Sequence, residues 1–235
     1  YVLGWQGPCV AIDVACSSSL VAAYSAMRAL LLDEAPAAAV AGVHAMLVPS
    51  ASLLYAVGGL TSKRGRSHAF DARADGFGRG EACGAALFGI DDFRKVAYLA
   101  GSAVRQDGKS ASLTAPNGQA QQALLIAAHA DTVDEILFVE AHGTGTALGD
   151  PIEAGALAAM RQSPDHDAAA LLSVGGMKAS MGHAEPAAGI AGMLKVYNSL
   201  KRLQMAPNAQ LRALNTYLNE RSDFACVLPT QLATL

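Results

Sequence analysis

Charge is what this chain has least of. Only 16% of its 235 residues are Asp, Glu, Lys or Arg, against roughly a quarter in average soluble domains. Much of it is therefore expected to be buried in its own fold, against further sequence or against a partner. The 17 basic and 20 acidic side chains leave a formal charge of −3. No basic patch stands out, since Lys63-Arg64-Gly65-Arg66 and Lys201-Arg202 read as solvated loop or helix-end charges, which argues against a nucleic-acid partner. Long unbroken apolar runs are lacking too. The stretch from Ala35 to Leu54 is interrupted by Pro36, Gly42, His44 and Pro49, so no membrane span is expected. The four cysteines (Cys9, Cys16, Cys83, Cys226) form no CxxC pair and no metal-finger spacing. A disulfide framework is thereby disfavoured, and a reducing, cytoplasmic setting is expected. There is no cleavable leader pattern, Pro/Ser-rich linker, low-complexity tract or short repeat. The chain opens on Tyr1 and is expected to be cut from a longer polypeptide, yet its length suffices to bury a real core.

What is present is an alternation of strand and helix patterns. Val10, Ile12 and Val14 alternate as in a strand, and Leu20, Tyr24, Met27 and Leu31 then recur at helical spacing. Buried strands are expected at Ala37–Val43, Cys83–Ile90, Tyr98–Val104, Ile136–Ala141 and Leu171–Val174. A charged turn, Asp91 to Lys95, separates the second from the third. Helices are expected over Asn117–Ala130 and Ile190–Leu203, and Thr61–Gly80 reads as a long ordered loop. The tail after Pro207 is less patterned. Such an order implies an α/β layered fold with a largely buried sheet.

Three segments carry candidate chemistry. In Asp13-Val14-Ala15-Cys16-Ser17-Ser18-Ser19-Leu20 a strand pattern runs into a helix pattern, so Cys16 falls at or near a helix's first turn. Free N–H groups and the positive end of the helix dipole favour a thiolate there. The position suits a nucleophile, although a small buried thiol would also fill such a turn. In the second segment, strand 136–141 ends in His142-Gly143-Thr144-Gly145-Thr146, at the sheet edge where α/β folds place ligands. Asp150, Pro151 and Glu153 then read as an N-cap, a first helical residue and a capping-box partner. The glycine spacing, GxGxxxG, is one residue too long for a dinucleotide fingerprint, and Asp150 would repel a pyrophosphate. No Lys-Ser or Lys-Thr follows to make a P-loop. In the third segment Lys178 and His183 sit in a Gly-rich connection between strand 171–174 and a helix. A lysine there either snorkels to solvent or meets a buried acceptor. His183, near a helix N-terminus, is expected to be neutral and able to donate one N–H.

Taken singly, each histidine could be a core residue bonded to a carbonyl. Together, a cysteine and two histidines just past predicted strand ends point to one cleft. Zinc fits poorly, because no two of the three share the usual i, i+3 or i+4 spacing. A Cys–His hydrolase would use the same thiolate and base but leaves the second histidine and its lysine unexplained.

The three segments, in this order, resemble the β-ketoacyl synthase (ketosynthase) family of condensing enzymes, with the modular polyketide and multifunctional fatty-acid synthase branches nearest. The stretch from Phe70-Asp71-Ala72-Arg73 through Gly78-Arg79-Gly80-Glu81 is similar to a fourth family segment. Ala179-Ser180 stands where Ser-Asn is commoner, and Ala184-Glu185-Pro186 where Thr-Glu-Ala is commoner. The resemblance implies a thiolase-like αβαβα fold, incomplete here, with the N-terminal part and the C-terminal end of the domain missing. Residues 1–90 or so would be the end of the N-terminal half and about 91–235 most of the C-terminal half. It also implies decarboxylative Claisen condensation. Cys16 would hold the acyl chain, His142 and His183 would promote loss of carbon dioxide and stabilise the enolate, and Lys178 would support them. Thr144 and Thr146 would contact substrate. No cofactor would be bound by the domain itself, since phosphopantetheine arrives on an acyl carrier protein, the expected partner. The intact protein is expected to be a homodimer using acyl and malonyl-type thioesters. Other outcomes left open are an inactive piece, a dimer scaffold, or a Cys-dependent acyltransferase or hydrolase that never condenses.

Overall fold

The computed structural model describes residues 2–90, 95–110, 112, 115–129, 133–161, 171–220 and 226–235. Helix α1 (Ser18–Leu31) leads to strand β1 (Ala37–His44), helix α2 (Pro49–Val57) and strand β2 (Ala82–Gly89). Then come α3 (Gly118–His129), β3 (Phe138–Glu140), α4 (Gly149–Arg161), β4 (Leu172–Gly175), the one-turn α5 (Lys178–Met181) and α6 (Ala188–Arg202). Short pieces finish the chain: β5 (Gln204–Met205), α7 (Thr216–Asn219), β6 (Cys226–Val227) and β7 (Ala233–Thr234).

β1 and β2 pair antiparallel from Ala37↔Gly89 to His44↔Ala82. The second sheet is parallel, in the order β3-β4-β6, and β5 with β7 forms a small antiparallel ribbon. Helix α6 packs on both main sheets and α1 packs beside it on β1, so the two helices form a layer between the sheets. α4 covers the other face of the parallel sheet, with α3 outside it. Alternation along β4 divides the work. Leu172 and Val174 join Ala154, Leu157 and Met160 of α4 in the main core, while Gly175 faces Lys195 of α6 and Glu140 of β3.

The approach of α1 to α6 depends on missing side chains. A Cβ on Gly42 would lie 2.9 Å from Ile190 Cγ2 and 3.0 Å from Ser19 Cβ, and one on Gly189 would lie 2.5 Å from Leu20 Cγ. The small residues let both helix starts settle onto β1, and buried Ser19 Oγ accepts the Ile190 N–H at 3.0 Å. Because Cys16 immediately precedes α1 and His183 closely precedes α6, this crossing brings two distant sequence segments to one place.

Most of the expected elements form, with boundaries shifted by a residue or two. Two strands do not. Residues 10–14 and 98–104 form no strand and have no ladder partner among the described residues, and Val10, Val14, Tyr98 and Val104 are exposed. Alternation records which face a strand would bury, but a strand also needs a neighbour to take its hydrogen bonds. The sheets are also less buried than expected: Ala37, Ala39, Ala41 and Val43 leave one face of β1 open. Of the expected charged turn, residues 91–94 lie outside the described residues, as does Ala130 at the end of the helix expected over Asn117–Ala130.

The loop from Thr61 to Gly80 is ordered by polar contacts. Buried Asp71 accepts from Arg73 Nε at 2.7 Å and from the Arg73, Arg212 and Ala213 N–H groups at 2.9, 2.6 and 3.2 Å, tying the loop to the C-terminal tail. Burial alone would raise the Asp71 pKa, but the Arg73 fork and these N–H donors outweigh it and hold the carboxyl well below the usual range. Its stabilisation is therefore complete above the ordinary carboxylate pKa of about 4 and fades as pH falls below that value. Asp71→Asn is expected to lower the melting temperature by roughly 5–10 °C at pH 7, and the difference from the parent should shrink in acid. Melting curves at pH 7 and pH 3 check both.

Candidate active site

Cys16 sits in a 3₁₀ turn, Ala15–Ser17, that feeds α1. The turn into the helix is as expected, although the segment before it is not a strand. Ala15 adopts φ +54, a left-handed conformation that typically costs a residue with a Cβ about 1–3 kcal/mol. Side-chain hydroxyls hold it in place: Ser18 Oγ accepts the Val14 N–H and donates to the Ala15 carbonyl, while Ser17 Oγ donates to the Val14 carbonyl. Cys16 is thus presented, half-buried, from a locked bend.

His142 follows β3, whose pairing is extended by the Ala141 N–H bonded to the Gly175 carbonyl at 2.8 Å. The protein grips His142 by its main chain. Its N–H donates to Glu153 Oε1 at 2.5 Å, and its carbonyl accepts from Lys178 Nζ at 2.5 Å. Glu153 Oε2 takes the next N–H, that of Gly143, at 2.8 Å. Asp150 accepts from Gly145 and Thr146 and, at 2.7 Å, from the Phe70 N–H. The expected capping roles are therefore corrected. α4 begins at Gly149, and the carboxylates of Asp150 and Glu153 bind the preceding His142–Thr146 loop rather than their own helix's first N–H groups. Burial raises the pKa of both acids, opposed by these N–H donors. Gly145 has φ +80, and a Cβ there would stand 2.6 Å from the His68 backbone nitrogen, which cannot step aside. Gly145→Ala is expected to displace the loop and lower the melting temperature by roughly 5–10 °C, read by thermal unfolding.

Lys178 opens α5 directly behind β4 and is buried, so the snorkelling alternative does not hold. Burial pulls its pKa down, and Glu153, Glu140 and Asp150 oppose that pull. Glu140 is itself paired with Lys195 and accepts the Met177 N–H at 2.6 Å. Asn208 completes the support, accepting the Gly176 N–H at 2.7 Å and donating to the Val174 carbonyl at 2.9 Å.

His183 is almost fully buried and clamped to the Gly78–Gly80 backbone: its N–H donates to the Gly78 carbonyl at 2.7 Å, and its carbonyl accepts the Gly80 N–H at 3.0 Å. Its Nδ1 accepts the Glu185 N–H at 3.2 Å. A ring that accepts at Nδ1 carries its proton on Nε2 when neutral. Burial, then the Lys178 charge, push the His183 pKa down to about 3, so at neutral pH the ring is uncharged. Burial, more than the helix end, is the cause of the neutrality expected from sequence. The same two influences lower His142, although that ring keeps an open face that solvent can screen.

The two rings lie edge to face, with centroids 5.3 Å apart and planes at 88°. A ring nitrogen from each and the Cys16 sulfur all lie within 4.8 Å of one another. Sequence spacing argued against a metal here, yet the donor atoms are close enough to surround one. The stronger objection is the His183 ring, whose Nδ1 lone pair is spent on the Glu185 N–H and whose Nε2 bears the proton. A sulfur nucleophile beside two neutral N–H donors is instead suited to forming a thioester and stabilising negative charge on its oxygen. Thr144 is buried and Thr146 half-buried in the same loop.

Sequence reading missed the groups behind these residues: Glu140, Asn208, and the cluster of His44, Arg79 and Glu185. The available signal was scarcity, since an ionisable group in so uncharged a chain has more chance of being buried and paired.

Residues 1–89 match the family pattern of the β-ketoacyl synthase N-terminal domain, and residues 96–212 that of the β-ketoacyl synthase C-terminal domain. One component of the phenolphthiocerol/phthiocerol polyketide synthase of Mycobacterium tuberculosis is 43% identical over 240 residues, covering 98% of this chain and 15% of that protein. A second component of the same synthase is 42% identical over 229 residues, covering 93% of this chain and 12% of its own. The ketosynthase from module 6 of the bacillaene synthase of Bacillus subtilis 168 superposes with a TM-score of 0.92 at 32% identity, covering 99% of this chain and 43% of that one. The oxazolomycin ketosynthase domain OzmH KS7 of Streptomyces albus JA3453 gives 0.90 at 32%, covering 98% and 41%. The fold is thus the thiolase-like α/β arrangement. The chain belongs to the β-ketoacyl synthase family, and it spans less than half of the matched ketosynthase chains and under a sixth of these curated relatives.

Proposed function

We propose that this chain carries the condensing centre of a carrier-protein-dependent ketosynthase in polyketide or fatty-acid assembly. The observation that supports it most is the gathering of Cys16, His142 and His183 donor atoms within 4.8 Å. In the first half-reaction the Cys16 sulfur attacks an acyl thioester, the incoming C–S bond forms and the carrier thiol leaves. In the second, the malonyl carboxylate departs as carbon dioxide and its C–C electron pair becomes a thioester enolate. Nε2–H of His183, with the His142 ring opposite, donates to the enolate oxygen. The enolate carbon then attacks the acyl carbonyl, a C–C bond forms, the C–S bond to Cys16 breaks, and a β-ketoacyl thioester results. Lys178 holds the His142 carbonyl and keeps positive charge near the cleft. Thr144 and Thr146 are the residues we assign to the phosphopantetheine arm, which the carrier protein supplies. The boundary between the two thiolase-like halves falls near residue 90, and the intact protein acts as a homodimer. The setting we assign is reducing and cytoplasmic, supported by four cysteines none of which is paired; no described helix is long and apolar enough to cross a membrane.

The test uses the intact parent protein with an acyl thioester and a malonyl-loaded carrier protein. Mass spectrometry should find an acyl adduct on the Cys16 peptide, then a β-ketoacyl chain on the carrier. Loading without any elongated product would overturn condensation and leave acyl transfer.

A further inference from the structure

Beside His183 a set of polar groups converges that the proposed reaction does not use. Arg79 is at its centre. Its Nε donates to Glu185 Oε1 at 2.9 Å, one terminal nitrogen donates to Ser52 Oγ at 2.5 Å, and the other approaches His44 Nε2 at 3.3 Å. The guanidinium also stacks over the Tyr55 ring, 5.1 Å from its centroid, and the Tyr55 hydroxyl donates to Glu185 Oε2 at 3.2 Å. His44 Nδ1 lies 2.8 Å from the Gly80 carbonyl, which can only accept. His44 therefore carries a proton on Nδ1, and its Nε2 lies between the Arg79 guanidinium at 3.3 Å and Glu185 Oε2 at 3.4 Å. The charged pair is largely covered, with the Arg79 and Glu185 side chains only 9% and 13% exposed.

This cluster reaches the His183 ring at the Glu185 backbone nitrogen, which donates to His183 Nδ1. Glu185 holds φ +43, a left-handed conformation that a glutamate adopts only when its surroundings fix it. Arg79 and Tyr55 hold its side chain, and at its own carbonyl it accepts the Ala188 N–H in the 3₁₀ turn that begins there. Arg79 also contributes its own backbone, since the strip Gly78-Arg79-Gly80 brackets His183 with two main-chain hydrogen bonds. Gly80 and Gly182 make the contact close enough: a Cβ on Gly80 would stand 2.3 Å from the Met181 carbonyl oxygen, and one on Gly182 2.6 Å from that of Arg79. Phe77 closes the remaining side, edge-on to the His183 ring at 5.1 Å.

We propose that Arg79 and Glu185 are positioning residues that fix the tautomer of His183, holding an N–H donor against Nδ1 so that the Nε2–H is presented to the substrate oxygen. The inference rests on the condensing role given to His183, but what it says of the ring's proton stands apart from that role. Without the fork of Arg79, the Glu185 backbone relaxes from its left-handed conformation, its N–H turns from Nδ1, and the proton distributes between both ring nitrogens. A ring protonated on Nδ1 offers a lone pair where the enolate oxygen needs a donor. Loading of Cys16 needs no such donor from His183 and is spared.

The test compares the intact parent protein with Arg79→Lys and Glu185→Gln, two variants that keep side-chain length in the buried cluster. Each is labelled with ¹⁵N-histidine, and the unprotonated ring nitrogen of His183 is assigned by its loss in His183→Ala. Acyl loading and condensation are measured separately on the same preparations. The parent should show Nδ1 as the unprotonated nitrogen. Both variants should show a mixture of tautomers, loading within about twofold, and condensation lower by 10-fold to 100-fold, the scale expected when a reacting group is misplaced by about an ångström. The proposal is overturned by an unchanged tautomer, by loading that falls in step with condensation, or by full condensation despite a mixed tautomer. A parent that shows the Nδ1 signature but makes no β-ketoacyl product would refute the condensing function and leave the positioning claim standing.

Discussion

Cys16→Ala in the intact protein abolishes acyl loading, whereas His183→Ala loads normally and fails to condense; this separation is the largest effect expected. The cysteine side of it follows from how the nearby hydroxyls are used. Ser17 and Ser18 are within two residues of the sulfur, but both donate to backbone carbonyls of the turn, and Ser18 also accepts an N–H. Neither is free to take over as nucleophile, so loading should fall below detection. The histidine side follows from the ring's protonation. His183 is neutral, with burial holding its pKa at about 3, and it is placed to donate rather than to abstract. Removing one such donor from a developing oxyanion typically costs 10²- to 10³-fold. His183→Ala should lower condensation by about that factor, while mass spectrometry still finds the acyl group on Cys16. His142→Ala should resemble it, because the second ring stands opposite at 5.3 Å. If the His183 variant elongated at the parent rate, the two-donor mechanism would be wrong.

The residues we propose as the reacting groups are legible in the sequence because each ends a recognisable local pattern. Cys16 stands where a helix begins, and His142 and His183 follow apolar strands into glycine-rich turns. What could not be read was everything that acts through space. Gly42 and Gly189 look like ordinary glycines 147 positions apart, yet their lack of side chains lets α1 and α6 cross and bring Cys16 to His183. Asp150 and Glu153 satisfied a helix-capping pattern so well that the local reading concealed their use, which is to hold the His142 loop from below. Arg79, His44 and Glu185 lie in three separate segments, and no periodicity links them. The two expected strands that stay unpaired, 10–14 and 98–104, show the reverse failure. The alternation in 10–14 and the largely apolar run in 98–104 are genuine, but pairing is a property of two segments and pattern a property of one.

Lys178→Met should produce the second large effect, and its sign is informative. The Nζ ammonium grips the His142 carbonyl at 2.5 Å and lies among Glu153, Glu140 and Asp150, all of which favour its charge against the cost of burial. Methionine keeps the apolar length but removes both the hydrogen bond and the charge. The His142 loop loses its grip at the carbonyl end, and condensation at pH 7 should fall by roughly 10- to 100-fold. The pH profile should move as well. After burial, the Lys178 charge is the next influence that lowers His142 and His183, because a second positive charge beside the first is unfavourable. Without it, each imidazolium forms more readily, and the pKa of each ring rises toward the ordinary 6.5 without reaching it, since burial persists. A protonated ring can still donate, but His183 would then have to donate at both nitrogens, and its Nδ1 faces the Glu185 N–H. Condensation in the variant should therefore weaken in mild acid where the parent remains active, so the acid limb shifts to higher pH. Rates measured from pH 4.5 to 8 on both proteins decide the matter. A limb that stays in place would mean that Lys178 acts only through the hydrogen bond, and one that moves to lower pH would contradict the electrostatic argument.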